Sequence, residues 1–400
     1  MTAHGGCRSC RSEALVEVMD LGLVPPSDAF PDADDPGPDP ASGLRLVVCS
    51  ACLLLQLGPT APSAPETPIA VDSQTALDHA RASVARLVED EGIAPGARFA
   101  AYDSGHGCSW APFLQEAGLE EADATGAGDV DVLVDVHHLM HDEDLDAVVG
   151  RHAARLAPGG VLVAEVFHGR PLVTRTLVDT IRHGHFTYLT LLAAEPLLAR
   201  HGLVVTRAQE VPSYGGSLLL TARRASEDPV VDPGVAEVRE GERRDGLADV
   251  AALQGFGTRG RVVARAFREH LEDLRDRGRT VAGYGAPSKA PVLLALARVD
   301  RDLLPFTCDL SPAKTGRRIA GTSVPIRSVD DLLAARPSDV VLLTWDLVDE
   351  VSAQLAARSA GTGWAPRIYV PLPEPREVSL PTWPGDRNAL RQNAPHEQAP

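Results

Sequence analysis

The sequence predicts an α/β protein in which a small cysteine-bearing N-terminal module precedes two doubly wound, Rossmann-like α/β domains. Two observations support this fold class. Short apolar strand-like runs alternate with segments of helical apolar spacing, a pattern typical of parallel sheets with helices on both faces. Two Cys-x-x-Cys pairs precede all of these segments. We expect the module over residues 1–70, the first α/β domain over 71–225, the second over 226–373, and a disordered tail over 374–400.

The composition limits the class of function. The 400 residues carry a formal net charge of −17, which argues against a general nucleic-acid binder with a basic face. No apolar run reaches the roughly 18–20 residues that a membrane span needs. The N-terminus lacks a charged region followed by an apolar stretch, so no signal peptide is predicted. We therefore expect a cytoplasmic monomer or weak oligomer, with no nucleic-acid or membrane partner.

Four cysteines are expected to bind one zinc ion, namely Cys7, Cys10, Cys49 and Cys52. Two thiolates three residues apart can hold one metal from a tight turn, and two such turns complete a closed tetrahedron. In a reducing compartment this spacing favours zinc over disulfides. A closed site has no open coordination position, so the zinc would be structural. The alternative is a pair of redox dithiols without metal.

Helical and strand patterns follow the cysteine module. Apolar residues spaced from Leu77 to Leu87 predict a helix from about 73 to 92. Two segments are expected to be exposed: the Pro- and Asp-rich stretch 25–41 as a loop, and the charged stretch 225–250 as a linker or helix. The other elements predicted in the first α/β domain are strands at 98–103, 130–136 and 161–166, helices at 108–118, 145–156 and 192–201, and antiparallel strands at 203–211 and 217–222.

The second α/β domain is predicted from a similar alternation. A long helix is expected from about 259 to 277, ahead of the first strand. The predicted strands that follow are 280–284, 304–309, 340–345 and 367–371, and the predicted helices are 291–297, 329–335 and 347–358.

Only two of the 38 basic residues are lysines, Lys289 and Lys314. Both follow apolar strand-like runs in glycine- and proline-rich loops, where ligands bind in open α/β sheets. In a chain that otherwise uses arginine, a lysine indicates a place that needs a compact ammonium group. The glycine loop 283–289 and Lys314 are therefore candidates to hold phosphate groups. The alternative is chance retention on the surface.

Several motifs, taken in order, resemble the sugar C-methyltransferase family of deoxysugar biosynthesis, over about residues 5–373. No single motif is specific, but seven in the right order are. They are the four-cysteine module with Leu21-Gly-Leu-Val-Pro-Pro26, Leu156-Ala-Pro-Gly-Gly-Val-Leu-Val163, His183-Gly-His-Phe-Thr-Tyr188 with Leu198-Ala-Arg-His-Gly-Leu203, Tyr214-Gly-Gly-Ser-Leu218, Gly283-Tyr-Gly-Ala-Pro-Ser-Lys289, Asp309-Leu-Ser-Pro-Ala-Lys-Thr-Gly316, and Pro325-Ile326 before a Leu-rich helix.

The resemblance implies an enzyme that removes a proton beside the ketone of a nucleotide-linked 4-ketosugar and methylates that carbon. Histidine suits the base, because its pKa lies near neutral pH. The family's motif Tyr-His-Glu-His-Phe corresponds to Arg182-His-Gly-His-Phe186, so the tyrosine and the glutamate are replaced. The implied catalytic residues are His185, His141 and His183, and the implied substrate contacts are Tyr188, Tyr214, Ser217, Tyr284, Ser288, Lys289 and Lys314. The alternatives are a core histidine for His185 and a solvent-facing one for His141.

The implied S-adenosylmethionine site departs further from the family. Its loop corresponds to Ala101-Tyr-Asp-Ser-Gly-His-Gly107, with Ser104, Gly105 and Gly107 as candidate cofactor contacts. Asp103 stands where the family has a glycine, and Ala101 replaces an acidic residue. The second strand and its helix are expected to be largely absent, because the connection 119–129 is short. Three functions stay open: a methyltransferase, an enzyme that uses the same enolate chemistry without S-adenosylmethionine, and a non-catalytic sugar-nucleotide-binding partner.

Overall fold

The computed structural model describes residues 5–35, 37–59, 72–104, 108–123, 129–373 and 375–378. The chain forms two compact units, one of residues 1–28 and 41–260 and one of residues 29–40 and 261–400. In the described part of the chain, no helix combines the length and the apolarity that crossing a membrane requires.

The first unit contains ten strands and six helices among its described residues. The strands are β1 (Leu15–Val24), β2 (Ser42–Cys49), β3 (Leu55–Leu57), β4 (Arg98–Asp103), β5 (Glu120–Glu121), β6 (Val130–Val136), β7 (Leu156–Phe167), β8 (Thr187–Tyr188), β9 (Leu203–Val211) and β10 (Ser217–Arg224). The helices are α1 (Gln74–Glu91), α2 (Ala111–Glu116), α3 (Leu145–Arg155), α4 (Gly169–Thr174), α5 (Leu191–Arg200) and α6 (Pro233–Arg244).

The central sheet of this unit has the order β5-β4-β6-β7-β10-β9. Strands β5, β4, β6 and β7 are parallel, whereas β10 runs antiparallel to both β7 and β9. Val132, Leu133 and Val134 are all buried, as expected for a strand covered on both faces. Helix α1 begins where the Ser73 side chain accepts from the Ala76 N–H and ends at Gly92 in the left-handed conformation, as the sequence predicts.

A smaller antiparallel sheet carries the cysteine turns, in the order β1-β2-β3-β8. Its last strand comes from far along the chain, with Leu55 opposite Tyr188 and Gln56 opposite Thr187. The segment 183–188, which carries the histidine motif, is therefore fixed to the cysteine-bearing sheet by backbone pairing.

The charged stretch 225–250 contains helix α6, which confirms the helix of our two alternatives, but the helix is partly buried and not exposed. Glu242 is fully buried and accepts hydrogen bonds from the Leu191 and Leu192 N–H groups at 2.6 and 2.9 Å. His168 donates to the same carboxylate at 2.7 Å. The burial was not predicted, because composition does not distinguish a buried glutamate that caps another helix from a solvated one.

Helix α7 (Val250–Asp276) contains the boundary between the units, and the second unit follows it. Its strands are β11 (Val281–Tyr284), β12 (Thr307–Cys308), β13 (Ile326–Arg327), β14 (Asp339–Leu342), β15 (Arg367–Val370) and β16 (Arg376–Val378), and its helices are α8 (Ala290–Ala297), α9 (Val329–Ala335) and α10 (Val348–Ser359).

The sheet order β13-β12-β11-β14-β15-β16 is the doubly wound order in which the chain reverses direction between β11 and β14. The sheet is parallel up to β15, and only β16 runs antiparallel. Strand β16 lies within the tail 374–400 that we expected to be disordered, so that expectation is wrong for residues 376–378. Residues 374 and 379–400 lie outside the described part of the chain.

The predicted loop 25–41 is not wholly exposed, since residues 29–40 belong to the second unit. Arg318 binds both carboxylate oxygens of Asp39, at 2.5 and 2.8 Å, with both side chains about nine-tenths buried. Arg317 donates to the Phe30 carbonyl at 2.7 Å. Bidentate arginine–carboxylate contacts of this kind fix a segment without helix or strand.

Candidate active site and metal cluster

The four predicted metal-binding cysteines lie together. Their Sγ atoms are all within 4.8 Å of one another, with Cys7 and Cys52 at 3.5 Å and Cys10 and Cys49 at 3.6 Å. Thiolates at 2.3 Å from one zinc ion would stand about 3.8 Å apart in a tetrahedron. All four cysteines are free thiols. The cluster therefore fits a zinc ion.

Both cysteine pairs sit on turns of the same design. The Arg11 N–H donates to the Cys7 carbonyl at 3.0 Å, and the Leu53 N–H donates to the Cys49 carbonyl at 2.8 Å. Arg11 and Leu53 both have positive φ, at 65° and 63°. This repeated turn brings each pair of sulfur atoms to the same side of its loop.

A group of aromatic rings lies where strands β6 and β7 end. The rings of His141 and His185 are edge to face at 4.8 Å, and the Phe167 ring is 5.3 Å from His185. His141 lies in a helical turn after β6, whereas His185 follows Gly184, whose φ is 89°. His185 is only 2% exposed. The two histidines that the resemblance implies as catalytic are thus neighbours at the carboxyl end of a parallel sheet, where α/β proteins bind ligands.

A second histidine pair extends this group and was not predicted. The ring of His137 is 4.9 Å from both Phe167 and Tyr214. Its Nε2 is 3.3 Å from Glu165, whose other oxygen accepts from His79 at 2.8 Å. Burial by itself would raise the pKa of Glu165, but the contacts with His137 and His79 lower it below its usual value. Glu165 therefore stays ionised in the interior.

His137 carries two further marks of a functional residue. Its φ is 56°, a left-handed conformation that costs energy for a residue with a side chain. Its Nδ1 and Nε2 atoms are both buried, and neither has a hydrogen-bond partner among the described residues. The charged Glu165 inside the apolar run Val161–Val166 was the sequence signal for this pair, because a buried carboxylate needs nearby partners.

The other candidate residues of this unit are held by the protein itself. Tyr188 is 1% exposed; its hydroxyl donates to the Thr180 carbonyl and accepts from the Arg182 N–H, both at 3.1 Å. The Tyr214 hydroxyl accepts from the Cys108 N–H at 3.2 Å, and Ser217 donates to the Ser213 carbonyl at 3.2 Å. Tyr214 lines the histidine group through its ring, and Tyr188 approaches it at 6.4 Å from His185.

His183 contacts a different part of the unit. Its Nε2 lies 3.0 Å from the Ser42 hydroxyl at the start of β2, and burial lowers its pKa. Arg182, which replaces the family's tyrosine, forms an ion pair with Asp28 at 2.9 Å. The described contacts of His183 thus connect it to the cysteine-bearing sheet and not to the His141–His185 pair.

The end of β4, where the resemblance implies a cofactor loop, is described only in part. The Ser104 N–H donates to the Val136 carbonyl at 3.2 Å, and Ser109 donates to the Asp103 carboxylate at 2.5 Å. Burial raises the pKa of Asp103. The predicted contacts Gly105 and Gly107 lie outside the described residues.

The second strand of this region is short but present. Strand β5 pairs in parallel with β4, and it ends at Glu121, whose carboxylate accepts from Gln115 at 2.6 Å. No helix lies between 119 and 129 in the residues described there, which exclude 124–128. The edge of the sheet therefore keeps an acidic residue at the end of its second strand, although the segment around it is reduced.

Both lysines of the second unit surround the glycine loop, and both are already paired. Lys289 forms an ion pair with Asp346 and lies 4.0 Å over the Trp345 ring. Lys314 donates to the Ala286 carbonyl at 2.9 Å and lies 3.5 Å from Asp309. Asp309 in turn accepts from the Ala286 N–H at 2.7 Å. The Ala286 N–H group, which lies in the loop that we predicted to bind phosphate, thus already donates to the Asp309 carboxylate.

Two further candidates lie in the same unit. Tyr284 is buried, and its hydroxyl donates to Gln354 at 3.2 Å. Ser288 is half-buried in the loop beside Lys289.

Comparison with known proteins agrees with the motifs. A family model described as "C-methyltransferase C-terminal domain" matches residues 212–373, and one described as "Putative zinc binding domain" matches residues 7–64. The C-methyltransferase NovU from Streptomyces niveus is 28% identical over an alignment of 408 positions, which covers 93% of this chain and 96% of NovU.

Solved structures match a smaller part of the chain. Magnesium protoporphyrin IX methyltransferase from Synechocystis PCC 6803 is 16% identical, covers 39% of this chain and 91% of its own, and has a TM-score of 0.29. The N-methyltransferase NodS from Bradyrhizobium japonicum WM9 is 14% identical, covers 38% of this chain and 99% of its own, and has a TM-score of 0.27. The two family models and the relative of similar length show that this chain is similar to C-methyltransferases in both its N-terminal and its C-terminal part.

Proposed function

We propose that this protein is a C-methyltransferase that acts on the carbon beside the ketone of a sugar nucleotide. The observation that carries the proposal is the ring group His141, His185, Phe167 and His137 at the carboxyl ends of β6 and β7. Methylation of such a carbon requires a base to take its proton and a donor to stabilise the enolate oxygen. This group supplies histidines for both tasks.

His185 is the proposed base. It is buried against Phe167, and His141 faces it edge to face, so the pair can take and pass on a proton away from bulk solvent. His137 is the proposed contact to the enolate oxygen through its buried Nδ1 atom, which can donate only when the Nε2 atom facing Glu165 also carries a proton. Glu165 lies 3.3 Å from the His137 Nε2 atom, close enough to attract a protonated ring although the contact lacks hydrogen-bond geometry.

The proposed methyl donor is S-adenosylmethionine, and the acidic group at the end of β5 fits it. Glu121 ends the parallel strand β5 beside β4, at one edge of the sheet. The resemblance places a ribose-binding acid at the end of the second strand, where Glu121 stands. When bound, this cofactor supplies an electrophilic methyl group.

In the second unit, Lys289 is the proposed phosphate contact. Its ammonium group would exchange Asp346 for a phosphate oxygen, while the aromatic Trp345 remains beneath it. Lys314 is less suited to this task, since it is 6% exposed and its hydrogen bond to the Ala286 carbonyl holds the glycine loop.

A second candidate function is enolate chemistry without a methyl donor, such as epimerisation. The observations that favour it are the two-residue β5 and the Asp103 side chain in place of a glycine. The histidine group is the same in both proposals.

The test uses the full-length protein with nucleotide-linked 4-ketodeoxysugars in heavy water. Deuterium entry beside the ketone, with a methylated product when S-adenosylmethionine is present, is expected. His185→Ala should lower the exchange rate by about 10³-fold. His201→Ala should leave it unchanged, since His201 is a half-buried histidine beside Asp146.

The remaining outcomes separate the proposals. Exchange without methylation, together with no calorimetric binding of S-adenosylmethionine, would favour the second function. No exchange with any such ketosugar would rule out both. If the cofactor binds, Glu121→Gln should weaken its binding without changing exchange.

A further inference from the structure

A second group of possible metal ligands lies apart from the cysteines, beside strand β4. Asp135, on β6, is fully buried, and its Oδ2 atom is 2.9 Å from His152 Nε2 and 3.4 Å from His138 Nδ1. The three ligand atoms all lie within 4.8 Å of one another. Ligands bound to one first-row cation at about 2.1 Å stand about 3.0–3.4 Å apart, depending on the angle between them.

The protein fixes each member of this group independently. The Oδ1 atom of Asp135 accepts from the His138 and Leu139 N–H groups at 3.1 and 3.0 Å, which turns Oδ2 toward the two imidazoles. His152 is 1% exposed on helix α3. The Tyr102 ring packs on both histidines, at 4.5 Å from His152 and 5.7 Å from His138. A carboxylate oriented by backbone groups is a common support for a metal ligand.

We propose that Asp135, His138 and His152 bind a first-row divalent cation, with zinc as the first candidate. One carboxylate and two neutral imidazoles satisfy the donor preference of zinc and leave a fourth position open. An ion and a fourth ligand would reach the site past His138, because the His138 side chain is about one-third exposed while its two partners are buried. An exposed ligand also supplies the entry path that a metal site needs.

This site would hold its ion less tightly than the cysteine cluster. Three ligands that include two neutral imidazoles compensate less of the cation's charge than four thiolates do, so a chelator should remove this ion first. The same geometry also suits imidazole N–H groups that face the Asp135 carboxylate directly, in which case no cation is bound. The metal-bound state and the metal-free state predict different metal contents for the protein.

The test is metal titration of the full-length protein. After dialysis against a chelator that leaves one zinc ion per chain, the protein is titrated with Co²⁺. One further equivalent should bind, and its absorption should lack thiolate-to-metal charge transfer, because no sulfur atom belongs to the site. Elemental analysis after reconstitution with Zn²⁺ should show two ions per chain.

Three variants decide the assignment. His152→Gln and His138→Gln should each lose the second equivalent and keep the first, and the exposed position of His138 makes its variant the one less prone to misfold. His201→Gln is the matched control, since His201 has a single carboxylate partner, Asp146, at 3.1 Å, and it should keep both equivalents. A wild-type protein that binds no second equivalent, or a His138→Gln variant that binds as much as wild type, would overturn the proposal.

Discussion

The histidine group of the first unit and the lysine loop of the second show two ways to place polar side chains at the carboxyl ends of parallel strands. In the first, the rings of His137, Phe167 and His185 face one another, and His137 keeps a buried nitrogen without a partner among the described residues. In the second, Lys289 and Lys314 each approach a carboxylate. Both sets of residues were candidates from the sequence. In the part of the chain that the structure describes, a ring nitrogen of His137 is left without a hydrogen bond, whereas both lysine ammonium groups already face a carboxylate.

The largest expected effect tests the histidine group. His185→Ala should lower the rate of proton exchange by about 10³-fold, within the range for loss of a general base. The Michaelis constant for the sugar nucleotide should change little. A mass-spectrometric exchange assay measures both quantities, and a loss confined to substrate affinity would remove His185 from the role of base.

A second prediction concerns the carboxylate behind His137. Glu165→Gln should lower the free energy of unfolding by about 2–3 kcal/mol at pH 7, because the ionised group accepts hydrogen bonds in the interior. Urea unfolding followed by circular dichroism measures this change.

The stability difference between wild type and Glu165→Gln should depend on pH, in a direction that the pKa of Glu165 determines. The folded-state pKa of Glu165 lies below that of the unfolded chain, about 4.3. The ionised Glu165 therefore contributes to the free energy of unfolding above about pH 4.3. This contribution is lost as the pH falls toward the pKa of Glu165 in the folded state. The difference between wild type and Glu165→Gln should shrink on acidification from pH 5 to 3. A difference that stays constant over this range would contradict the ionised state of Glu165.

The sequence predicted most of the fold because the signals were local. Caps such as Ser73 and Gly92 and the apolar run of β6 mark their elements directly. The errors at 29–40 and at α6 have one cause: each segment is polar, and its partner is distant in the chain. Arg318 holds Asp39, and the N–H groups of α5 hold Glu242.

In the candidate site, too, local motifs were predictive and distant partners were not. The four cysteines and the pair His141 and His185 belong to sequence motifs, and the fold brings each set together. The partners of Glu165 could not be predicted, because His79 lies 86 residues before it in the chain. The ion pairs of the two lysines could not be predicted either. Their partners are Asp346 and Asp309, and nothing in the sequence spacing indicates these pairings.

The lysines offer the next test. Lys314→Met should cost about 1–3 kcal/mol of unfolding free energy, because its removal leaves the buried Ala286 carbonyl without its hydrogen bond and Asp309 without a nearby cation. Thermal unfolding of the full-length protein measures the loss. A variant with unchanged stability and weakened substrate binding would show that Lys314 serves the ligand and not the loop.

Lys289→Met should have the smallest effect on stability, at about 1–2 kcal/mol. The methionine can keep the contact with Trp345, and the Asp346 side chain, which is 15% exposed, keeps some access to solvent when its partner is removed. If Lys289 contacts phosphate, the Michaelis constant for the sugar nucleotide should rise about tenfold, while exchange at saturating substrate stays near wild type. Asp346→Asn is the informative companion, because removal of the competing carboxylate should leave the ammonium group available and lower that constant. Equal constants in wild type and both variants would place the phosphate contact elsewhere and leave the lysine loop with a structural role alone.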